Sequence, residues 1–168
     1  MTLIVPSPVL ARVARALALA AGLAMAPALV AADPALTLLR GPEGTESLDF
    51  TLEALAELPQ VTIVTENEFS DGEVSYRGPL IRDVLAHLGL DQAATIRLTA
   101  ANDYYVDIPT SDFRRYNVIL ALEADGARLS RREKGPLWVM YPISDHSELR
   151  DPVYNTRLIW QVVRIESL

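Results

Sequence analysis

The segment Tyr76-Arg77-Gly78-Pro79-Leu80-Ile81-Arg82-Asp83-Val84-Leu85 decides the fold expected for this 168-residue chain. Residues 73–77 have the alternation of a strand, and Gly78-Pro79 is expected to open a helix, since proline is tolerated in a first helical turn. Apolar residues then recur at helical spacing, and Gly89 is a fitting C-terminal stop. The apolar positions are Leu80, Ile81, Val84, Leu85 and Leu88.

Short strand-like segments lie on both sides of this unit. One further helix is predicted over residues 50–58, with Thr51 as its cap and Pro59 as its stop. The sequence therefore predicts an α+β fold that is mostly β, with two short helices, in a domain over residues 48–168 that follows a lead-in over residues 33–47. Residues 143–156 are predicted to form a long polar loop. Strands are predicted at 61–65, 95–100, 104–108, 118–122, 137–141 and 158–165, and a further strand at 36–39 within the lead-in.

Residues 1–32 have the pattern of a secretory signal peptide. Arg12 and Arg15 precede an uncharged run, Ala16–Val30, and Val30-Ala31-Ala32 offers small residues for cleavage after Ala32. The alternative is an uncleaved anchor, but the run is shorter than the roughly 20 residues that a spanning helix needs. We therefore expect a periplasmic or secreted protein that is not inserted in a membrane after cleavage.

Composition excludes several classes of function. The net charge is −7, from 15 Lys+Arg against 22 Asp+Glu, so the chain lacks the basic character of a nucleic-acid-binding protein. It contains no cysteine, which excludes disulfides, thiolate catalysis and cysteinyl metal sites. No phosphate-binding glycine loop and no Gly-x-Ser-x-Gly motif is present, and the two histidines do not form a metal triad. No catalytic or metal-ligating residue is predicted.

Three groups of residues are candidates for binding a ligand. The basic cluster of Arg131, Arg132 and Lys134 is suited either to an anion, such as phosphate, sulfate or a pterin phosphate, or to a solvated hairpin. The Asn102-Asp103-Tyr104 turn is either a binding turn or ordinary turn chemistry before a packed strand. The loop with His146, Glu148 and Arg150 either binds a ligand or hydrogen-bonds itself into shape.

Several motifs together resemble the sulfite oxidase family's molybdopterin-binding domain. They are residues 58–62 with 76–85, the strand at 102–109 that ends in Ile-Pro, Leu120-Ala121-Leu122 with its Gly126 turn, and 134–142. The small exported stand-alone members of that family continue much like residues 145–150 and Trp160-Gln161. The resemblance covers residues 48–165 and implies the family's mostly-β fold.

The resemblance also implies a molybdenum centre held by one cysteine, on the segment after the first strand of the domain. Here that segment is Thr65-Glu66-Asn67-Glu68-Phe69, without cysteine, and oxygen ligands do not replace a soft thiolate. Glu66 and Glu68 add negative charge where an anionic cofactor would lie. We therefore expect no cofactor, and molybdopterin is the alternative.

Two possible functions follow from the family resemblance and from the absence of the family's cysteine. The first is an exported, noncatalytic module that binds a small ligand or a partner such as a periplasmic or membrane sensor protein. The second is a molybdopterin-dependent oxidoreductase or cofactor-binding subunit that lacks the thiolate. In the resembled fold the cofactor cleft lies among loops at strand ends, and the residues expected to converge there are Glu66, Asn102, Asp103, Tyr104, Arg132, Lys134, His146 and Arg150.

Overall fold

The computed structural model describes residues 33–41 and 44–168. In this part of the chain the strands are β1 (Leu36–Arg40), β2 (Glu46–Phe50), β3 (Gln60–Thr65), β4 (Val74–Pro79), β5 (Thr95–Ala100), β6 (Tyr105–Pro109), β7 (Ile119–Ala121), β8 (Glu123–Ala124), β9 (Ala127–Arg128), β10 (Trp138–Met140) and β11 (Val162–Ser167). The helices are α1 (Leu52–Glu57), α2 (Ile81–Ala86), α3 (Thr110–Arg115) and α4 (Pro152–Asn155). The α+β, mostly-β fold class is confirmed, but the expected two short helices are four.

A five-stranded sheet in the order β2-β1-β11-β5-β6 covers one side of the core. Strand β1 runs parallel to β11, so the first and last strands of the described chain are neighbours. Alternate side chains on the inner face are fully buried, as the two-residue period of a strand requires, including Leu36, Leu38, Ile96 and Leu98. Residues 36–40 and 46–47 of the segment set apart as a lead-in form β1 and the start of β2, and so belong to this sheet.

A four-stranded sheet, β3-β4-β8-β9, and the ribbon β7-β10 form the other side. Gly78 lies where β4 and β7 come closest, because a Cβ there would stand 2.0 Å from the carbonyl oxygen of Leu120. The expectation that Gly78-Pro79 opens a helix is wrong. Both residues end β4, held there by the close approach to β7, and α2 begins only at Ile81.

The first two helices form where the apolar spacing places them. Thr51 caps α1 by accepting a hydrogen bond from the Ala54 amide at 3.1 Å. In α2 the residues Ile81, Val84 and Leu85 are fully buried, and Gly89 follows in the left-handed region. Of the two further helices, α3 buries one apolar residue, Phe113, and α4 buries none, so neither shows a periodic apolar face that the sequence could reveal.

The predicted long loop after β10 is more regular than expected. Residues 143–145 and 147–150 form 3-10 turns, and α4 follows, capped by Asp151 through a hydrogen bond from Val153 N at 3.0 Å. Leu149 is fully buried and anchors the loop in the core. The loop therefore forms a fixed wall beside the ends of β3 and β5.

The proposed signal peptide lies outside the described residues. Within residues 33–41 and 44–168, no helix combines the length and the apolar character needed to cross a membrane.

Candidate functional site

The turn after β3 contains the segment in which the family resemblance places a cysteine. Its start is tied to the loop after β10. The Glu66 amide donates to Ser144 Oγ at 3.2 Å, and the Ser144 amide donates to Thr65 Oγ1 at 3.1 Å. These two contacts hold the end of the edge strand β3 against the loop.

Asn67 fixes the conformation of the same turn. Its Nδ2 donates to the hydroxyl of Tyr76 at 3.2 Å, and its Oδ1 accepts from the amide of Phe69 at 2.8 Å. Burial raises the pKa of Tyr76, so its phenol stays neutral at physiological pH. The amide side chain is therefore committed to the turn, and its neighbour Glu68 is left exposed.

The turn between β5 and β6 lies beside the start of β11. The Ala101 amide donates to the carbonyl of Gln161 at 2.9 Å. Within the turn, Asn102 Oδ1 accepts from the Tyr104 amide at 3.2 Å, and Asp103 adopts a φ of 66°. Asp is one of the few side chains that tolerates this left-handed conformation.

A cleft of about 330 Å³ opens between these two turns and the chain that runs from α4 to β11. We call it the aromatic cleft. Its walls carry aromatic rings and amide side chains, and its floor is apolar. The lining residues are Glu68, Phe69, Ala100, Asn102, Tyr104, Asn155, Thr156, Leu158, Ile159 and Trp160.

Aromatic rings dominate the walls of this cleft. Trp160 meets Phe69 edge-to-face, with ring centroids 5.2 Å apart, yet 37% of its surface is exposed. Tyr104 on the opposite turn is 51% exposed. Exposed aromatic rings over a buried apolar floor are typical of small-molecule sites.

Glu68 supplies the charge of the aromatic cleft. Its Oε2 accepts a hydrogen bond from Asn155 Nδ2 at 2.8 Å, which joins the turn after β3 to α4. For the described part of the chain, it is the one charged residue in the lining. The cleft thus presents a carboxylate among aromatic and amide groups.

The basic cluster of Arg131, Arg132 and Lys134 lies on a turn next to this cleft but does not line it. Lys134 places its Nζ 5.1 Å from the ring centroid of Trp138 and 5.9 Å from that of Phe69. The Lys134 carbonyl accepts from the Gln161 amide at 3.3 Å, so the turn is held against the start of β11. Arg132 lies on the exposed 3-10 turn over residues 131–133.

A second, shallower depression lies on the far side of Glu68 and Asn155, and we call it the Arg150 groove. Glu66 and Arg150 both line it, with Asn67, Ser70, Gly72 and Ile143. Glu68 and Asn155 line both depressions and separate them.

His146 lies among a different set of contacts. Its ring packs against Tyr116 with centroids 5.0 Å apart. Nearby, Glu148 Oε1 accepts from Arg115 Nη2 at 2.8 Å and from the Tyr116 hydroxyl at 3.2 Å. The backbone hydrogen bond at its own amide, together with these partners, lowers the pKa of Glu148. This part of the loop bonds to α3 and its C-terminal end.

The structure brings some of the predicted site residues together and separates others. Asn102 and Tyr104 line the aromatic cleft, with Asp103 in the same turn, and Glu66 and Arg150 line the adjoining groove. Lys134 borders the cleft through Phe69, whereas Arg132 and His146 line neither depression. Sequence reasoning did not select Phe69, Asn155 or Trp160, and no local pattern in the sequence distinguishes them.

A buried polar network was also missed. Asp112, which is 8% exposed, accepts through Oδ2 from the hydroxyl of Tyr141 at 2.8 Å and pairs with Arg157 Nη1. Burial and the Asp112 charge raise the pKa of Tyr141 well above its ordinary value. The ring of Tyr154 covers the Arg157 guanidinium at 4.8 Å. This network joins α3 to Tyr141, which follows β10, and to Arg157 in the chain after α4.

The residues at the turn after β3 do not fit a thiolate-ligated molybdenum centre. The chain has no cysteine, and the turn offers two carboxylates and an amide already used by its neighbours. Within the described residues, no group of three or more histidine, aspartate or glutamate side chains is arranged to hold a metal ion. No chemical step through molybdenum can therefore be derived from this site.

Comparisons with known proteins agree with the fold. A model of the family described as the oxidoreductase molybdopterin-binding domain matches residues 38–144. Among solved structures, the sulfane dehydrogenase SoxCD from Paracoccus pantotrophus is similar with a TM-score of 0.57 and 19% identity, over 79% of this chain and 37% of that chain. The chain thus spans little more than a third of the protein it matches. No curated protein sequence matches it.

Proposed function

Because the chain belongs to the oxidoreductase molybdopterin-binding domain family, we propose that it uses this fold as an exported, noncatalytic module that binds a small ligand in the aromatic cleft. The observation that carries the proposal is the turn after β3. Where the resemblance places a cysteine, this chain has Glu66, Asn67 and Glu68, and Asn67 is bonded to Tyr76 and Phe69.

The geometry of the aromatic cleft supports the binding of a small ligand. Its volume of about 330 Å³ suits a small molecule, and Leu158 and Ile159 in its floor are 1% and 2% exposed. Three hydrogen bonds hold its walls in place before any ligand arrives. Asn155 donates to Glu68, the Ser144 amide donates to Thr65 Oγ1, and the Ala101 amide donates to the Gln161 carbonyl. A preorganised site loses less conformational entropy on binding.

Export is the second part of the proposal. It is supported by Arg12 and Arg15, the uncharged run Ala16–Val30 and the small residues before Asp33. Once exported, the module would bind a periplasmic or membrane sensor protein and report to it whether the cleft holds a ligand. Intact-mass analysis of the exported fraction is expected to show a chain that begins at Asp33, and a mass that includes residues 1–32 would contradict export by cleavage.

A molybdopterin-dependent oxidoreductase or cofactor-binding subunit is the second candidate. The family match over residues 38–144 favours it, since it includes Glu68, Phe69, Asn102 and Tyr104 of the cleft. This candidate requires that the pterin be held without a thiolate bond to the metal. The residues Asn155 to Trp160, which form the other wall, lie beyond the match.

Molybdenum content and redox activity separate the two candidates. The full chain is produced in cells with an active molybdopterin pathway, together with a cysteine-containing family member as the control for cofactor supply. We expect molybdenum far below one atom per chain and no sulfite-dependent reduction of an electron acceptor, while the control is loaded and active. Molybdenum near one atom per chain would overturn the noncatalytic proposal.

A further inference from the structure

We propose that the ligand of the aromatic cleft is an organic cation: a substituted ammonium group that carries an apolar body. The inference rests on the proposed function, because it assigns the ligand class of the same site. Three features of the cleft carry it: the sign of its charge, the exposure of its Trp160 and Tyr104 rings, and the apolar surface that these rings present.

The charge of the cleft is negative. Glu68 is the one charged residue in the lining within the described chain, and the whole chain carries a net charge of −7. Asn155 donates to Glu68 Oε2, which orients the carboxylate, and no ion pair to Glu68 forms within the described residues. The other oxygen, Oε1, is left to a ligand. An ammonium group is its electrostatic complement.

The aromatic rings favour the same ligand. The faces of Trp and Tyr rings attract cations, and aromatic cages of this kind recognise alkylated ammonium groups. A cation–ring contact of this kind already exists beside the cleft, where the Lys134 ammonium lies over Trp138 and Phe69. No cation of the described chain lies over Trp160 or Tyr104, so these two rings are available to a ligand.

The exposed rings of the cleft require an apolar body on that ligand. The lining residues Leu158, Ile159 and Ala100 are at most 5% exposed, so the apolar surface that the cleft presents to water belongs to its rings, with Trp160 37% and Tyr104 51% exposed. An inorganic cation would leave this apolar surface in contact with water. A ligand with a ring or alkyl chain would cover the surface and gain hydrophobic free energy roughly in proportion to the area buried.

An anionic ligand has less to bind to in this cleft. Lys134 does not line the cleft, and its ammonium already lies over Trp138 and the lining ring of Phe69, while Arg132 lies on an exposed turn. Arg150 lines the groove on the far side of Glu68. An anion in the aromatic cleft would face the Glu68 carboxylate with no cation in the lining to offset the repulsion.

The probes are benzyltrimethylammonium, benzoate, and choline with its neutral isostere 3,3-dimethylbutan-1-ol, each titrated calorimetrically into the full mature chain. We expect both cations to bind, choline about tenfold more tightly than the neutral isostere, and benzoate not to bind. Equal affinity for choline and the isostere, or no binding of either cation at about 10 mM, would overturn the inference.

Two matched pairs of variants locate the site. Glu68→Gln is expected to weaken benzyltrimethylammonium binding about tenfold, whereas Glu73→Gln, on an exposed residue that lines neither depression, leaves it within about twofold. Tyr104→Leu is expected to weaken binding about fivefold. Tyr105→Leu, on an adjacent and equally exposed ring that stacks on Arg97 instead, leaves binding unchanged. Equal effects within either pair would overturn the assignment.

The outcomes distinguish this inference from the proposed function. If a neutral or anionic probe binds and Tyr104→Leu weakens it, the cation assignment fails while a noncatalytic binding cleft stands. If the chain carries molybdenum near one atom per chain, the proposed function itself fails. Thermal melts of each variant, followed by circular dichroism, verify that affinity is measured on folded protein.

Discussion

Asp112 and Glu68 are both carboxylates that bind the segment from α4 to β11, Asp112 at Arg157 and Glu68 at Asn155, but their surroundings differ. Asp112 is 8% exposed and satisfied by Tyr141 and Arg157, with the Arg157 guanidinium covered by Tyr154. Glu68 is exposed and accepts one hydrogen bond, from Asn155. The first carboxylate lies in the core between elements, and the second lines an open cleft.

The difference separates a structural group from a binding group. A buried carboxylate that is paired with a guanidinium is shielded from a ligand, and removing its partner leaves a charge in a poorly solvated place. An exposed carboxylate keeps its solvation and contributes little to stability, so it can exchange water for a ligand. The same loop is thus anchored at Arg157 and left open to a ligand at Asn155.

The largest effect is expected for Asp112→Asn. The substitution removes the negative charge and leaves the Arg157 guanidinium, on a side chain only 16% exposed, without its counterion, so the free energy of unfolding should fall by about 3 kcal/mol. Urea denaturation followed by tryptophan fluorescence measures it. The control is Asp107→Asn, which breaks an exposed pair with Arg97 and should cost less than about 1 kcal/mol. Equal losses in the two variants would remove the distinction between buried and exposed carboxylates.

A smaller effect is expected for Tyr141→Phe, which removes one hydrogen bond to Asp112 but keeps the ion pair. The free energy of unfolding at pH 7 should fall by about 1.5 kcal/mol, the usual contribution of a hydrogen bond to a charged group. A loss as large as that of Asp112→Asn would mean that the hydroxyl, rather than the ion pair, holds the network together.

Alkaline pH tests the same hydroxyl without changing Asp112. The pKa of Tyr141 is raised in the folded state, so its contribution to stability is complete below the ordinary tyrosine pKa of about 10 and is lost as pH rises toward the folded value. Burial likewise raises the pKa of Tyr116 to about 12. The wild-type free energy of unfolding should decrease above pH 10, and Tyr141→Phe should decrease less steeply by up to about 1.4 kcal/mol per pH unit. Parallel curves would contradict the assignment.

The smallest effect on stability is expected for Glu68→Gln. Gln keeps the shape and an oxygen that can accept from Asn155, and Glu68 is exposed, so the free energy of unfolding should change by no more than about 0.5 kcal/mol. The same urea titration measures it. A loss above about 1 kcal/mol would show that the Glu68–Asn155 contact is structural.

Much of the fold could be predicted because its signals are local. In α2, Ile81, Val84 and Leu85 recur at helical spacing and are fully buried, as expected. Gly89 adopts the left-handed conformation expected of a helix stop. The helix start predicted at Gly78-Pro79 is wrong because a contact with Leu120, some forty residues away in the chain, keeps Gly78 in β4. The local rule for helix starts does not take such a contact into account. Helix α3 has a single buried apolar residue, Phe113, and so no period to detect.

The candidate site was predictable only in part, for a similar reason. Asn102, Asp103 and Tyr104 stand out as a turn, and Glu66 and Glu68 as the departure from the resembled family. Asn155 and Trp160 are not distinctive within the sequence, and their role depends on how residues 143–160 fold back across the strand ends. That path is set by contacts such as the burial of Leu149 and the ion pair of Arg157 with Asp112, which no local pattern identifies.

The most direct test measures stability and affinity together on the two carboxylate variants. Urea unfolding and calorimetric titration with benzyltrimethylammonium are carried out on the same samples of wild type, Asp112→Asn and Glu68→Gln. We predict that Asp112→Asn loses about 3 kcal/mol of stability and, while folded, binds within about twofold of wild type, whereas Glu68→Gln keeps its stability and binds about tenfold more weakly. If Glu68→Gln unfolds as readily as Asp112→Asn, or if folded Asp112→Asn loses the ligand, the separation of a structural carboxylate from a binding carboxylate is wrong.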